Sequence, residues 1–171
     1  MNKLLILLIA VSFIGFSCKK DEEVPPLPFS EQRTIDSLAV ANYLEDNNIT
    51  NVLKDCYTVE VDPGNDCEGY VNYVLHQEGA GLIPPSVNAK IEVSYTGRLM
   101  DTGVEFDTND SIQFTLSNLI SGWQVILLDM QEGDSVTMYI PSVYAYGSNG
   151  SGDKVPANAN LIFEMKLHRV F

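Results

Sequence analysis

IEVSYTGRLMDTGVEFDT, residues 91–108, is the stretch on which the reading of this chain turns. Its first half alternates. Ile91, Val93 and Tyr95 fall on one side of an extended chain, and Glu92, Ser94 and Thr96 on the other. That is the pattern of a strand with one face buried. An acidic-glycine turn at Asp101-Thr102-Gly103 follows, and Phe106-Asp107 comes after it. Further along, Ile112, Phe114 and Leu116 share a face, as do Val136, Met138 and Ile140. Leu161, Phe163, Met165 and Leu167 alternate with Glu164, Lys166 and His168. Upstream, Tyr70–Leu75 reads as another strand, closed by Gly79-Ala80-Gly81 and Pro84-Pro85. One helix interrupts the strands, from about Gly122 to Met130, and it is too apolar all round to be anything but buried. A sheet folded around one short buried helix is an α+β architecture.

The N-terminal third is organised differently. Residues 1–17, MNKLLILLIAVSFIGFS, combine Lys3 with an apolar run from Leu4 to Phe16, the layout of a secretory signal peptide. The run, about 13 residues, is too short to span a bilayer comfortably as a helix. Cys18 follows at once, and the arrangement resembles a bacterial lipoprotein signal in which this cysteine is lipidated. Residues 18–30 then form a charged, proline-rich tether, with Pro25, Pro26 and Pro28 stiffening it. Its opening Lys19-Lys20-Asp21-Glu22-Glu23 resembles the acidic tract of surface-exported lipoproteins. The expected place is the outer membrane of a Gram-negative bacterium, on its periplasmic face or at the cell surface. Residues 31–68 are an extension. A helix over 31–46 is expected, capped by Ser30, with a stripe of Ile35, Leu38, Ala39, Tyr43 and Leu44, and ended by Asn47-Asn48. That stripe fits packing on the sheet or against a second copy.

Composition narrows the function. The chain of 171 residues has 10 Lys and Arg against 23 Asp and Glu, a net charge of −13. Such a chain is repelled by nucleic acid and by anionic lipid, so no nucleic-acid partner is expected and the membrane is met through the lipid anchor only. Cys56 and Cys67 flank Asp62-Pro63-Gly64-Asn65-Asp66, which is turn chemistry. They form either a disulfide that clips a hairpin, stabilising by roughly 2–3 kcal/mol, or two free thiols. No metal site is expected, because neither His76 nor His168 stands at ligand spacing to them. No phosphate loop is present, since the glycine-rich Gly147–Gly152 lacks the lysine such a loop needs. No serine or cysteine nucleophile has a base beside it.

What remains is aromatic: Tyr95, Phe106, Phe114, the single tryptophan Trp123, Tyr146 and Phe163. Taken one at a time these read as core residues. In order and spacing they carry more. The opening stretch resembles the signature of the FKBP-type, tacrolimus-binding peptidyl-prolyl cis-trans isomerases, with its YTG, its acidic-glycine turn and its FD. LISGW, MQEGD, IPSVYAYG and VPANANLIFEMKL follow in family order. The resemblance covers about 90 of the 171 residues, within an isomerase domain over 69–171.

The resemblance implies an antiparallel sheet of five to six strands curled over the short helix, with a substrate proline held between them. It implies catalytic roles for Tyr95, Phe106, Asp107, Trp123, Tyr146 and Phe163, with Trp123 as the pocket floor. Substrate contacts fall to Phe114, to Leu119 and Ile120 with their backbone, and to Val155. It implies no cofactor, proline-containing polypeptide clients and a tacrolimus-like macrolide as a ligand class. Oligomeric state stays open. Two positions and one loop depart from the pattern. Ile112 stands where the best-known members carry a second Phe, Ser117 replaces a usual Gly, and the loop Gly147–Lys154 is polar. Ile112 keeps the site apolar, while the polar loop is expected to weaken binding or alter the preference beside the proline. Two other functions compete: an FKBP-fold binding module that does not catalyse, and a glycan-capture lipoprotein. The second would need surface aromatics, which the pocket claims.

Overall fold

In the computed structural model, which describes residues 25–56 and 70–171, the alternating stretches are strands. They are β1 (Leu53–Cys56), β2 (Tyr70–Gln77), β3 (Lys90–Leu99), β4 (Glu105–Thr115), β5 (Ser135–Ile140) and β6 (Leu161–Val170). Together they form one sheet of 6 strands in the order β1-β2-β5-β6-β3-β4, every neighbouring pair antiparallel. The period-two alternation sends Ile91, Val93, Val136, Met138, Ile140, Leu161, Phe163, Met165 and Leu167 to one face, where they join the main core. The helix α2 (Ser121–Asp129) lies against that face through Trp123, Val125, Ile126 and Leu127. Burying such a side chain fully is worth about 1.5–3 kcal/mol relative to leaving it exposed. The approach is close because residue 122 is glycine: a Cβ there would sit 2.5 Å from Ile140 Cγ2.

The opposite face of the sheet is not simply polar. Tyr139 and Ile162 alternate outward from β5 and β6, and with Val40 and Met100 they make a second core. The N-terminal helix α1 (Phe29–Asp46) covers it. The tyrosine rings of Tyr43 and Tyr139 meet there at 6.0 Å. So β5 is buried on both faces at Tyr139, where a half-buried strand was expected.

Two expectations for α1 need correction. The cap is Pro28, with no side-chain hydrogen bond. Its carbonyl accepts from the N–H groups of Glu31 and Gln32, both at 3.0 Å, which places Ser30 inside the first turn. The helix starts at Phe29, so Ser30 lies within it and is not its cap. The inward stripe differs in part: Ala39, Tyr43 and Leu44 pack on the second core as expected, but Ile35 and Leu38 do not. Gln32, Asp36 and Val40 are buried, while Ile35 and Leu38 are 51% and 60% exposed. Two polar residues at i and i+4 face the sheet because the Asp36 carboxylate has donors waiting there: Ser142 Oγ, Val143 N–H and Gln32 Nε2.

β1 extends the sheet beyond β2. Cys56, at its end, is disulfide-bonded. The expectations for Cys67 and the turn Asp62–Asp66, and for residues 1–17, Cys18 and the acidic tract, fall outside the described residues. Beside Cys56, Asp55 shares a hydrogen bond with the Asp129 carboxyl. That bond, with partial burial and the neighbouring charge, raises Asp129 to about 6.

Candidate active site

β3, β4, β6 and α2 each contribute to one cavity of about 400 Å³. Tyr95 comes from β3, Phe106, Asp107, Ile112 and Phe114 from β4, Phe163 from β6 and Trp123 from α2. Asn118, Leu119 and Ile120 line it from the turn before α2, and Tyr146 from the segment after β5. The rings meet edge to face, the arrangement their quadrupoles prefer. Trp123 lies 4.9 Å from Phe163 and 5.0 Å from Tyr95 by ring centroids, and 6.2 Å from Phe114. Phe106 meets Phe163 at 5.6 Å and 88°.

Register sets this cluster. Gly97 pairs with Asp107 on one side and Phe163 on the other. A Cβ on Gly97 would stand 2.7 Å from both Phe106 Cζ and Phe163 Cε1. The glycine therefore leaves the space in which those two rings meet.

Apart from Asn118, the polar residues of the cavity lie together. The Tyr95 hydroxyl donates to Asp107 Oδ2 at 2.6 Å, and the Thr108 N–H donates to Oδ1 at 3.0 Å. The Tyr95 hydroxyl is pushed well above the ordinary phenol range, first by burial and then by its bond to the Asp107 carboxylate and that group's charge. Tyr146 is raised as well, first by burial and then by the charge of Asp107. Both hydroxyls are donors at neutral pH, and neither is placed to lose a proton.

The backbone at Leu119 and Ile120 is partly spoken for. The Leu119 carbonyl accepts from Gln124 Nε2 at 2.7 Å. The Ile120 carbonyl accepts from the N–H groups of Trp123 and Gln124. Among the described residues no acceptor takes the Ile120 N–H, which is left as a backbone donor of this rim.

An aromatic cavity between a curled antiparallel sheet and a single short helix is the architecture that the ordered motifs imply, and the sequence profile of the FKBP-type peptidyl-prolyl cis-trans isomerases matches residues 83–168, half of the chain. The chain belongs to this family. It is 36% identical over 104 residues to a probable FKBP-type peptidyl-prolyl cis-trans isomerase, FkpA, of Neisseria meningitidis, covering 58% of this chain and 38% of that protein. It is 35% identical over 108 residues to FK506-binding protein 1B of Neurospora crassa, covering 57% of this chain and 95% of that protein. A crystal structure of a peptidyl-prolyl cis-trans isomerase from Pseudomonas syringae superposes with a TM-score of 0.63 at 28% identity, covering 86% of this chain and 98% of that one. The chain spans 38% of the Neisseria protein and 24% of human FKBP4, so it matches only part of the length of these curated relatives.

Within this FKBP, the departures from pattern have definite places. Ile112 lines the cavity and keeps that wall apolar. Ser117 is exposed and its N–H donates to the Val87 carbonyl at 2.7 Å. The polar loop closes on itself rather than on the cavity: Ser151 and Val155 exchange backbone bonds of 2.8 and 3.1 Å. Lys154 Nζ reaches over to donate to the Phe106 carbonyl at 3.1 Å. Val155 is correspondingly 4% exposed, packed into the main core behind the cavity wall. Against expectation, it is not among the residues that line the cavity. Asn118 does line it and was not anticipated, since one exposed asparagine before a helix carries no signal of its own.

Proposed function

We propose that this FKBP is a peptidyl-prolyl cis-trans isomerase that assists the folding of exported proteins, taking X–Pro segments into the aromatic cavity. One observation carries the reading: Trp123, Phe106, Phe114 and Phe163 enclose an apolar space, and the hydroxyls of Tyr95 and Tyr146 stand beside it near Asp107. Rotation about a peptide bond must overcome a barrier of about 18–20 kcal/mol, because it breaks amide resonance. The planar amide is strongly dipolar, and the twisted one has lost that charge separation. An apolar cavity therefore disfavours the planar ground state more than the twisted transition state, which is differential binding. The rings grip the pyrrolidine. The Tyr146 hydroxyl donates to a substrate carbonyl. Asp107 holds Tyr95 in place and moves no proton. No bond is made or broken, so the reaction calls for no nucleophile and no cofactor. Uncatalysed X–Pro exchange takes tens to hundreds of seconds, slow enough to delay folding outside the cytoplasm.

Trp123 is the single tryptophan of the sequence, and it stands on the cavity floor. Titration with tacrolimus is expected to change its fluorescence and to saturate. Unchanged emission at saturating macrolide would count against the cavity as the ligand site. The signal-like residues 1–17 and the cysteine after them support a lipid-anchored protein of the outer membrane. Labelled palmitate is expected to enter the wild-type protein in a Gram-negative host and not Cys18→Ser. Equal labelling of both would remove Cys18 as the anchor.

A further inference from the structure

The buried carboxylate of α1 has no part in the cavity, yet it is bonded to the segment that leads into it. Asp36 is 1% exposed. Its Oδ2 accepts from Ser142 Oγ at 2.6 Å and from the Val143 N–H at 3.1 Å, and its Oδ1 accepts from Gln32 Nε2 at 2.7 Å. Ser142 is fully buried and its own N–H donates to Asn160 Oδ1 at 2.8 Å. Ser142–Tyr144 form a single 3-10 turn capped by Ala145, and Tyr146 follows on the cavity wall. The far end of the turn is held too. The Tyr144 carbonyl accepts from Ser121 Oγ at 3.2 Å, at the start of the helix that carries Trp123. The Phe29 ring of α1 lies edge-on to the Tyr144 ring at 6.3 Å.

A helix on the outer face of the sheet thus reaches round the end of β5 and grips the turn that delivers a cavity residue. Adhesion alone does not need a carboxylate there. Val40, Tyr43 and Leu44 already seal α1 on the second core, and a buried charge is costly unless its bonds are met. What Asp36 adds is direction: three donors met with fixed geometry in a site of low dielectric.

We propose that Asp36 is a positioning residue of the site: through Ser142 and Val143 it fixes the turn that presents Tyr146 to substrate. The proposal rests on the isomerase reading and extends it to a helix that lies outside the residues matched to the family.

The test is a double-mutant cycle on the full chain, read in kcat/KM for an X–Pro peptide. Asp36→Ala is expected to lower kcat/KM about tenfold in the wild-type background and to have little further effect in Tyr146→Phe. Asp36→Asn keeps an acceptor for Ser142 and Val143, with the Gln32 amide turned to match, and is expected to recover most of the loss. Val40→Ala loosens the same helix without touching Ser142 and is expected to stay within about twofold of wild type. Ser142→Ala serves if Asp36→Ala fails to fold, and is expected to show the same non-additivity with Tyr146→Phe. Losses that add in full, or an equal loss in Val40→Ala, overturn the proposal. A second readout is independent of catalysis. Amide hydrogen exchange at Val143 and Ala145 is expected to quicken in Asp36→Ala while the β3 and β6 amides keep their protection. If the wild-type protein does not catalyse, the isomerase reading fails by itself and this readout decides. Unchanged exchange at those two amides overturns the positioning role, and quickening confined to them supports it.

Discussion

Asp107→Ala is expected to lower kcat/KM for X–Pro exchange by about ten- to a hundredfold without unfolding the protein. The carboxylate holds the Tyr95 hydroxyl at 2.6 Å and accepts the Thr108 N–H. A hydrogen bond to a charged group is worth about 1.5–3 kcal/mol, and about 1.36 kcal/mol is a factor of ten in rate. Bound substrate covers this pair further, so the loss is felt most in the complex. The free protein keeps its core, because Asp107 is exposed and lies outside it. Peptide exchange kinetics beside a thermal unfolding curve check both halves. A full-speed Asp107→Ala would show that Tyr95 needs no orienting group. Asp107→Asn separates the effects, since it keeps an acceptor for Tyr95 and removes the charge.

Gly97→Ala is expected to be the most damaging small substitution in the sheet. Its new methyl would sit 2.7 Å from both Phe106 and Phe163 ring atoms. Those rings are 7% and 2% exposed, and Phe163 is wedged edge-on against Trp123 at 4.9 Å. Neither ring has room to retreat. Over-packing of this kind costs about 1–3 kcal/mol, seen as a lower urea midpoint at unchanged slope. Because the displaced rings are cavity walls, macrolide binding at Trp123 is expected to weaken along with stability. A variant as stable and as tightly binding as wild type would mean that the two rings are not held where they are described.

The inner face was legible because a half-buried strand writes its face in period two. Ile91, Val93 and Tyr95 could be placed before any contact was known, and the cavity aromatics were recognisable from the motifs around them. At α1 the same logic held for Ala39, Tyr43 and Leu44 and failed for the rest of the stripe. Hydrophobicity pointed to Ile35 and Leu38, but the stripe that faces the sheet begins with Gln32 and Asp36. A polar residue goes inward when buried donors wait for it, and those donors, Ser142 and Val143, lie over a hundred positions away in the chain. Only tertiary structure brings them together. Tyr139 and Ile162 were hidden for a related reason: outward positions stay apolar only if something covers them. The burial of Val155 accompanies a bridge to Ser151 across a glycine-rich turn, which no local pattern announces. The Lys154 contact with the Phe106 carbonyl likewise depends on how that turn folds.

The most direct test of the central claim is the cis/trans exchange rate of a short X–Pro peptide with and without the protein at micromolar concentration. Catalysis predicts a rate that rises in proportion to protein, is suppressed by tacrolimus and falls in Asp107→Ala. An exchange rate unchanged by the folded protein would contradict it and leave the aromatic cavity as a binding site alone.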